Sequence, residues 1–195
     1  MKPFATFLLV ALLAACASTP PTSSYYLLRS DAPVDSRALH PDMQFGLSSV
    51  DIAPYLDQPG LVLMTAEGDM RQANYHLWAE PLYQSVQRLL LTDISKASGR
   101  DLFAAQGGRD QTLINVSIDQ LHGTFDGRAV LVAYWSLAHN GDVLASFQYS
   151  EYRRLSDSGY RALVEAEREL LSDLAADIAQ SMDELREGSA KSAAE

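Results

Sequence analysis

The sequence predicts an α+β fold: one domain with a mixed, mostly antiparallel sheet of about five or six strands packed by two long helices. Two hairpin signals, Asp126-Gly127 and Asn140-Gly141, join three alternating runs in the second half of the chain. Two stretches with helical apolar spacing stand apart from them, at 82–97 and 163–185.

The first strand is expected over Tyr25-Tyr26-Leu27-Leu28, where aromatic residues favour extended backbone. A turn-rich segment follows, from Arg29 to Asp42. A second strand covers Gln44 to Ala53 and stops at Pro54-Tyr55-Leu56-Asp57-Gln58-Pro59-Gly60, because proline cannot donate to a ladder. A third runs from Leu61 to Ala66, turns at Glu67-Gly68-Asp69 and returns through Met70 to Tyr75. Trp78-Ala79-Glu80-Pro81-Leu82 reads as a helix start, with Pro81 in the first turn and Glu80 at the positive end of the dipole. Leu82, Val86, Leu89, Leu90 and Ile94 share one face of this helix, and Gly99 ends it.

The segment from Ala104 to Asp110, with Gly107-Gly108, is a turn; no helix follows it, as a phosphate-cradling loop would need. Ile114, Val116 and Ile118 then alternate, after which the apolar phase moves to Leu121 and Phe125, as a bulge near Gln120 or a bend at Gly123 produces. The next run, from Ala129 to Leu137, is apolar at both odd and even positions, which predicts a central strand covered on both faces. The run from Val143 to Ser150 is a half-buried neighbour. Ser156 to Ser158 offers an N-cap for the last helix, whose apolar face carries Leu163, Leu170, Leu174, Ile178, Met182 and Leu185. From Gly188 the tail has nothing to bury, and disorder is expected over 188–195.

The amino terminus carries the most specific signal. Met1-Lys2-Pro3 precedes an apolar run from Phe4 to Ala15, which is shorter than the about 20 residues a membrane-spanning helix needs. Small Ala14 and Ala15 stand before Cys16, the single cysteine, and Ala17 to Ser24 is an uncharged Ser/Thr/Pro stretch. This is the pattern of a lipoprotein signal: cleavage between Ala15 and Cys16, then acylation of the Cys16 thiol and of the new terminus. More than one acyl chain gives stable anchoring, since each buried methylene contributes about 0.8 kcal/mol. The domain plan is therefore a signal peptide at 1–15, an acylated cysteine and tether at 16–24, a folded domain at 25–187 and a tail at 188–195. An uncharged Ala17, where enterobacterial proteins retained at the inner membrane carry Asp, favours the outer membrane.

Cleavage leaves 180 of the 195 residues, a single domain by length, and 47% hydrophobic residues supply a core. With Cys16 acylated no thiol remains, which excludes disulfides, cysteine metal sites and cysteine nucleophiles. The formal charge of −10 disfavours nucleic acid and anionic lipid surfaces as partners of the protein body. The four histidines, His40, His76, His122 and His139, are scattered without ligand spacing, so no metal site is expected. No nucleophile elbow, zinc-protease or P-loop pattern exists. Glu165, Glu167 and Glu169, spaced by two on a helix, read as a solvated face, and Trp78 and Trp135 read as core. No catalytic residue, metal or cofactor is expected, apart from covalent acyl chains on Cys16.

Tyr25-Tyr26-Leu27-Leu28 after Cys16, Pro54-Tyr55-Leu56-Asp57-Gln58-Pro59 before a strand, Trp78-Ala79-Glu80-Pro81-Leu82 at a helix start, and Phe125-Asp126-Gly127 followed by Trp135 together form a set. The set resembles the ABC-type transport auxiliary lipoproteins of the PqiC (YmbA) kind, over almost the whole mature chain. Gln58, Gly60 and His122-Gly123-Thr124 depart from the family pattern, which has arginine or polar residues there. The resemblance implies a fold similar to the amino-terminal domain of TolB. It implies a non-enzymatic lipoprotein in the inner leaflet of the outer membrane, facing the periplasm. Its partners would be a periplasmic MCE-domain protein and an ABC or Pqi-type inner-membrane transporter, in lipid traffic that supports envelope integrity, and family members form ring-shaped homo-oligomers. A partner surface is expected around Trp78, Glu80, Leu82, Tyr55 and Asp57. Two other readings stay open from the residues themselves: a lipoprotein hydrolase of envelope material, and a structural tether between outer membrane and peptidoglycan.

Overall fold

The computed structural model describes residues 21–31, 42, 44–105 and 110–192. The signal peptide, Cys16 and the Gly107-Gly108 turn lie outside the described residues. The elements are β1 (Ser24–Tyr26), β2 (Phe45–Ile52), a 3-10 turn (Pro54–Leu56), β3 (Gly60–Met64), β4 (Met70–Trp78), α1 (Leu82–Ser98), β5 (Thr112–Thr124), β6 (Arg128–His139), β7 (Asp142–Arg154) and α2 (Tyr160–Ser192).

Seven strands form one mixed sheet in the order β1-β4-β3-β5-β6-β7, with β2 also on β5. The expected α+β class is therefore observed, with one strand more than the upper count. β2 and β3 share the same edge of β5, and both run parallel to it. β2 takes Phe45↔Thr112 through Ile52↔Ile118, and β3 takes only Leu63↔Gly123 and Met64↔Thr124. Between them the chain leaves the ladder after the Ala53 N–H donates to the Ile118 carbonyl (2.9 Å). Pro54 has no N–H to continue, and the 3-10 turn takes over. Rejoining requires a close backbone approach at Gly60, where an added Cβ would lie 2.4 Å from the Ala73 carbonyl oxygen.

The antiparallel part follows its turn chemistry. Asn140 (φ 52°) and Gly141 (φ 90°) supply the two left-handed positions of a tight hairpin between β6 and β7. The β5–β6 register shifts between Ile118 and Gln120, so the bulge alternative is the one realised. It carries the apolar phase from Ile118 to Leu121 on the buried side.

Both helices cover one face of the sheet. α2 crosses β5, β6 and β7, and α1 lies against α2 and β2. Ala129, Leu131, Ala133, Trp135 and Leu137 of β6 are buried under α2, and the Trp135 indole N–H donates to Ser181 Oγ at 3.1 Å. On the other face Val130 and Val132 are only half-buried and Tyr134 is exposed. The expectation that β6 is covered on both sides is thus corrected. Its even positions are β-branched or aromatic because such residues suit pleated backbone, and no element of the described chain packs on them.

α1 begins at Leu82 after an extended Pro81, and Gly99 ends it in the left-handed region. Its buried face is the expected one, with Ser85 and Asp93 added. Asp93 accepts hydrogen bonds from Ser30 and from Ser172 of α2 (2.5 Å for the latter), tying the segment after β1 to both helices. α2 starts at Tyr160, beyond the expected Ser156–Ser158 cap, just after Gly159 (φ 99°). It also continues through Gly188 to Ser192, where disorder was expected. Good helix formers, Ala190 and Lys191, extend the helix there without burial, and Ser189 Oγ donates to the Leu185 carbonyl.

Gly188→Ala tests this extension. An added Cβ there meets nothing within 4 Å. Replacing a helical glycine stabilises by up to about 0.5–1 kcal/mol, so slower amide exchange over 184–191 and more helical circular dichroism are expected. A disordered tail would leave both unchanged.

Candidate functional site

Five residues carried the expected partner surface, and the structure uses most of them internally. The Trp78 N–H donates to the Pro59 carbonyl and the Ala79 N–H to the Tyr26 carbonyl, so this corner ties β1, β4 and the β2–β3 connection together. The Trp78 and Leu82 side chains are buried, which corrects the expectation that they face a partner. Glu80 is held by Arg29 (2.5 Å), Ser85 (2.5 Å) and Arg88. The Arg29 guanidinium above all, with Arg88 and Ser85, lowers its carboxyl to about 2. Tyr55 turns inward, and its hydroxyl is buried. Asp57 alone of the five is exposed. A Trp-Ala-Glu-Pro-Leu string is conspicuous because it closes a corner, which is a packing requirement.

Glu167 stands opposite to its expectation. Its spacing of two from Glu165 and Glu169 predicts a solvated face, yet it is 1% exposed and one carboxylate oxygen has no partner among the described residues. Burial pushes its carboxyl up to about 8. The Tyr55 hydroxyl is likewise raised, to about 12, first by burial and then by the charges of Asp119 and Glu167. The signal was present in the spacing: 163, 167, 170 and 174 follow one another by four, three and four, which puts Glu167 on the apolar stripe of α2.

Two concave regions flank the end where the chain enters the fold. The larger, about 740 Å³, lies between the β3–β4 hairpin, the β5–β6 turn and the β7–α2 connection. Leu63, Phe125, Leu155 and Leu163 line it, with Arg71 and Asp157 among them. At its margin His76 Nδ1 and the Tyr26 hydroxyl are 2.8 Å apart, and the His76 ring stacks on Tyr160 at 3.9 Å between centroids. The second, about 570 Å³, is lined by Tyr25, Arg29, Arg161 and Arg168, with Arg168 paired to Asp31. Among the described residues no group of three histidine, cysteine, aspartate or glutamate side chains is placed to hold a metal ion. No helix among them is long and apolar enough to cross a membrane.

The third surface is the uncovered face of β5–β7. Val130, Val132, Tyr134 and Tyr152 form an apolar strip there, and Tyr152 carries the Arg128 guanidinium 4.8 Å above its ring. The half-burial of the valines and the 61% exposure of Tyr152 leave this strip open to a partner.

A family model described as the ABC-type transport auxiliary lipoprotein component matches residues 25–179. Among individual proteins, the intermembrane transport lipoprotein PqiC of Escherichia coli (strain K12) is 28% identical over 187 residues, covering 95% of this chain and all of that relative. The PqiC of Shigella flexneri matches equally. One solved structure, of an uncharacterised protein, superposes with a TM-score of 0.72 at 26% identity, over 83% of this chain and 99% of that one. A Xanthomonas campestris protein superposes at 0.66 with 14% identity, over the same 83%, and shows the shared fold.

The buried carboxyl makes a pH prediction. Its folded-state value lies above the ordinary 4.5, so the folded protein holds a proton that the unfolded chain releases as pH rises. This group's contribution is intact below about 4.5, and stability falls as pH rises from there through about 8. The loss is on the order of a few kcal/mol. Urea unfolding at several pH values in this window is expected to show the decline in the wild type and a flatter profile in Glu167→Gln. Equal slopes in both proteins would assign the decline elsewhere.

Proposed function

This chain belongs to the family of ABC-type transport auxiliary lipoprotein components, and from that premise we propose that it is a non-catalytic adaptor of an MCE-type intermembrane lipid transport system. In this reading the acyl chains on Cys16 hold the domain in the inner leaflet of the outer membrane. The folded body then meets a periplasmic MCE-domain protein that connects to the inner-membrane transporter. The observation that carries the reading is the match itself, which extends over the whole length of the related intermembrane transport lipoprotein.

The geometry supports it in two ways. β1 starts at Ser24, so seven residues of Ser/Thr/Pro-rich chain separate the fold from Cys16. Such a spacer reaches up to roughly 25–30 Å when extended. The open face of β5–β7 offers a protein partner the apolar centre and polar surround that interfaces use, with Gln148, Ser150 and Asn115 beside the Val130, Val132 and Tyr134 strip. Binding there replaces the Trp78–Leu82 corner as the partner surface of this reading.

Membrane fractionation separates the anchor from the docking face. Cys16→Ser is expected to release the protein from the outer-membrane fraction, and a substituted protein that still sediments with that membrane removes the anchoring role. Val132→Asp with Tyr134→Asp is expected to lower crosslinked capture of an MCE-domain protein at least several-fold while membrane residence is kept. Failure of the wild type to capture any MCE-domain protein counts against the adaptor role itself.

A further inference from the structure

The apolar groove beside β3 and the start of α2 has no part in the docking just described. Its volume of about 740 Å³ lies within the about 300–1,000 Å³ of small-molecule clefts. The floor is Leu63 and Leu163, brought together over Gly123, where an added Cβ would lie 2.4 Å from a Leu63 methyl and 3.0 Å from a Leu163 methyl. At the mouth Phe125 is 65% exposed and Tyr75 is 46% exposed, so two large aromatic side chains border the opening in contact with water. Arg71 and Asp157 also line it, and no ion pair to Arg71 is present among the described residues.

We propose that this groove takes one acyl chain of a membrane phospholipid, with the headgroup at the Arg71 and Asp157 side. The ligand class rests on the lipid-transport reading above; the site rests on the geometry. Three observations select this occupant. The lining is mainly apolar and the opening is bordered by aromatics, as a hydrocarbon chain requires. One cation and one carboxylate match the phosphate and the ammonium of a zwitterionic headgroup. Ser24 is in register with His76 on the groove wall, so the tether from Cys16 leaves the fold beside the opening. A tether of this length reaches at most roughly 25–30 Å, which bounds the distance of the mouth from the bilayer. The acyl chains on Cys16 are themselves committed to the bilayer by the anchoring they provide.

The test uses the mature acylated protein in vesicles of phosphatidylethanolamine and phosphatidylglycerol, doped with a phospholipid bearing a diazirine at the end of one acyl chain. After irradiation, adducts mapped by mass spectrometry are expected on the peptides holding Leu63, Phe125 and Leu163. Leu63→Gln places an amide on the floor and is expected to lower that labelling roughly tenfold, the scale set by polarity and fit in apolar pockets. Because that variant disturbs packing at Gly123, Phe125→Ser at the exposed mouth serves as the second, with a several-fold loss and an unchanged circular dichroism spectrum. Absent adducts, labelling unchanged in both variants, or equal labelling of Tyr134 and Leu144 outside the groove would overturn the proposal. If groove labelling fails while MCE-protein capture persists, the lipid site falls and the adaptor reading stands. If labelling succeeds while capture fails, the reverse holds.

Discussion

The shape of this protein depends on how one edge of β5 is shared. β6 occupies the opposite edge along almost its full length, and β2 then β3 occupy this one in succession. A strand cannot run the whole way, because Pro54 and Pro59 interrupt the donors that a continuous ladder needs. The 3-10 turn between them moves the chain outward, and Gly60 lets it return. The β1-β4-β3 half is consequently joined to β5 by two registered residue pairs, Leu63↔Gly123 and Met64↔Thr124. At that thin junction Leu63 and Leu163 meet over Gly123, and a groove of about 740 Å³ opens beside it.

Covering one face with two helices sets the polar arrangement inside. Asp93 enters the interior with partners from two other segments, and the Trp135 indole finds Ser181, so both are satisfied. Glu167 is the exception, a carboxyl on the buried stripe without a partner for one oxygen. A chain that left this position apolar would gain stability at neutral pH, since an uncompensated buried acid costs more than the contact it replaces. The opposite face of the sheet is the counterpart: apolar strand residues with no cover in the described chain.

In the proposed reading, charge and anchoring divide the work at the membrane. A chain of formal charge −10 is repelled by anionic headgroups, so electrostatics would not bring it to the bilayer. Acyl chains on Cys16 would do so through burial of methylene groups, which salt does not screen. Against that background Arg71 at the groove stands with Asp157, and the arginines of the cleft near β1 stand with Asp31 and Glu165, so both clefts carry charges of both signs.

Element existence was legible wherever a local rule decides: Gly99 closing α1, Asn140-Gly141 turning β6 into β7, the bulge past Ile118, and the apolar stripe of α2. Local rules cannot report what packs on a strand. Ala129 to Leu137 is apolar on both faces, and only the placement of α1 and α2 on one side shows which face is core. The same limit left Trp78 and Leu82 both in the expected core and on the expected partner surface, a choice that their burial decides, and it hid Glu167, whose burial depends on what α2 covers. By itself the sequence determined the α+β class and the family resemblance, because these reside in contiguous residues. The tertiary structure alone decided which side chains are inside, because burial is set by residues far apart in the chain: Leu63 meets Leu163 and Gly123 only after β3 has reached β5.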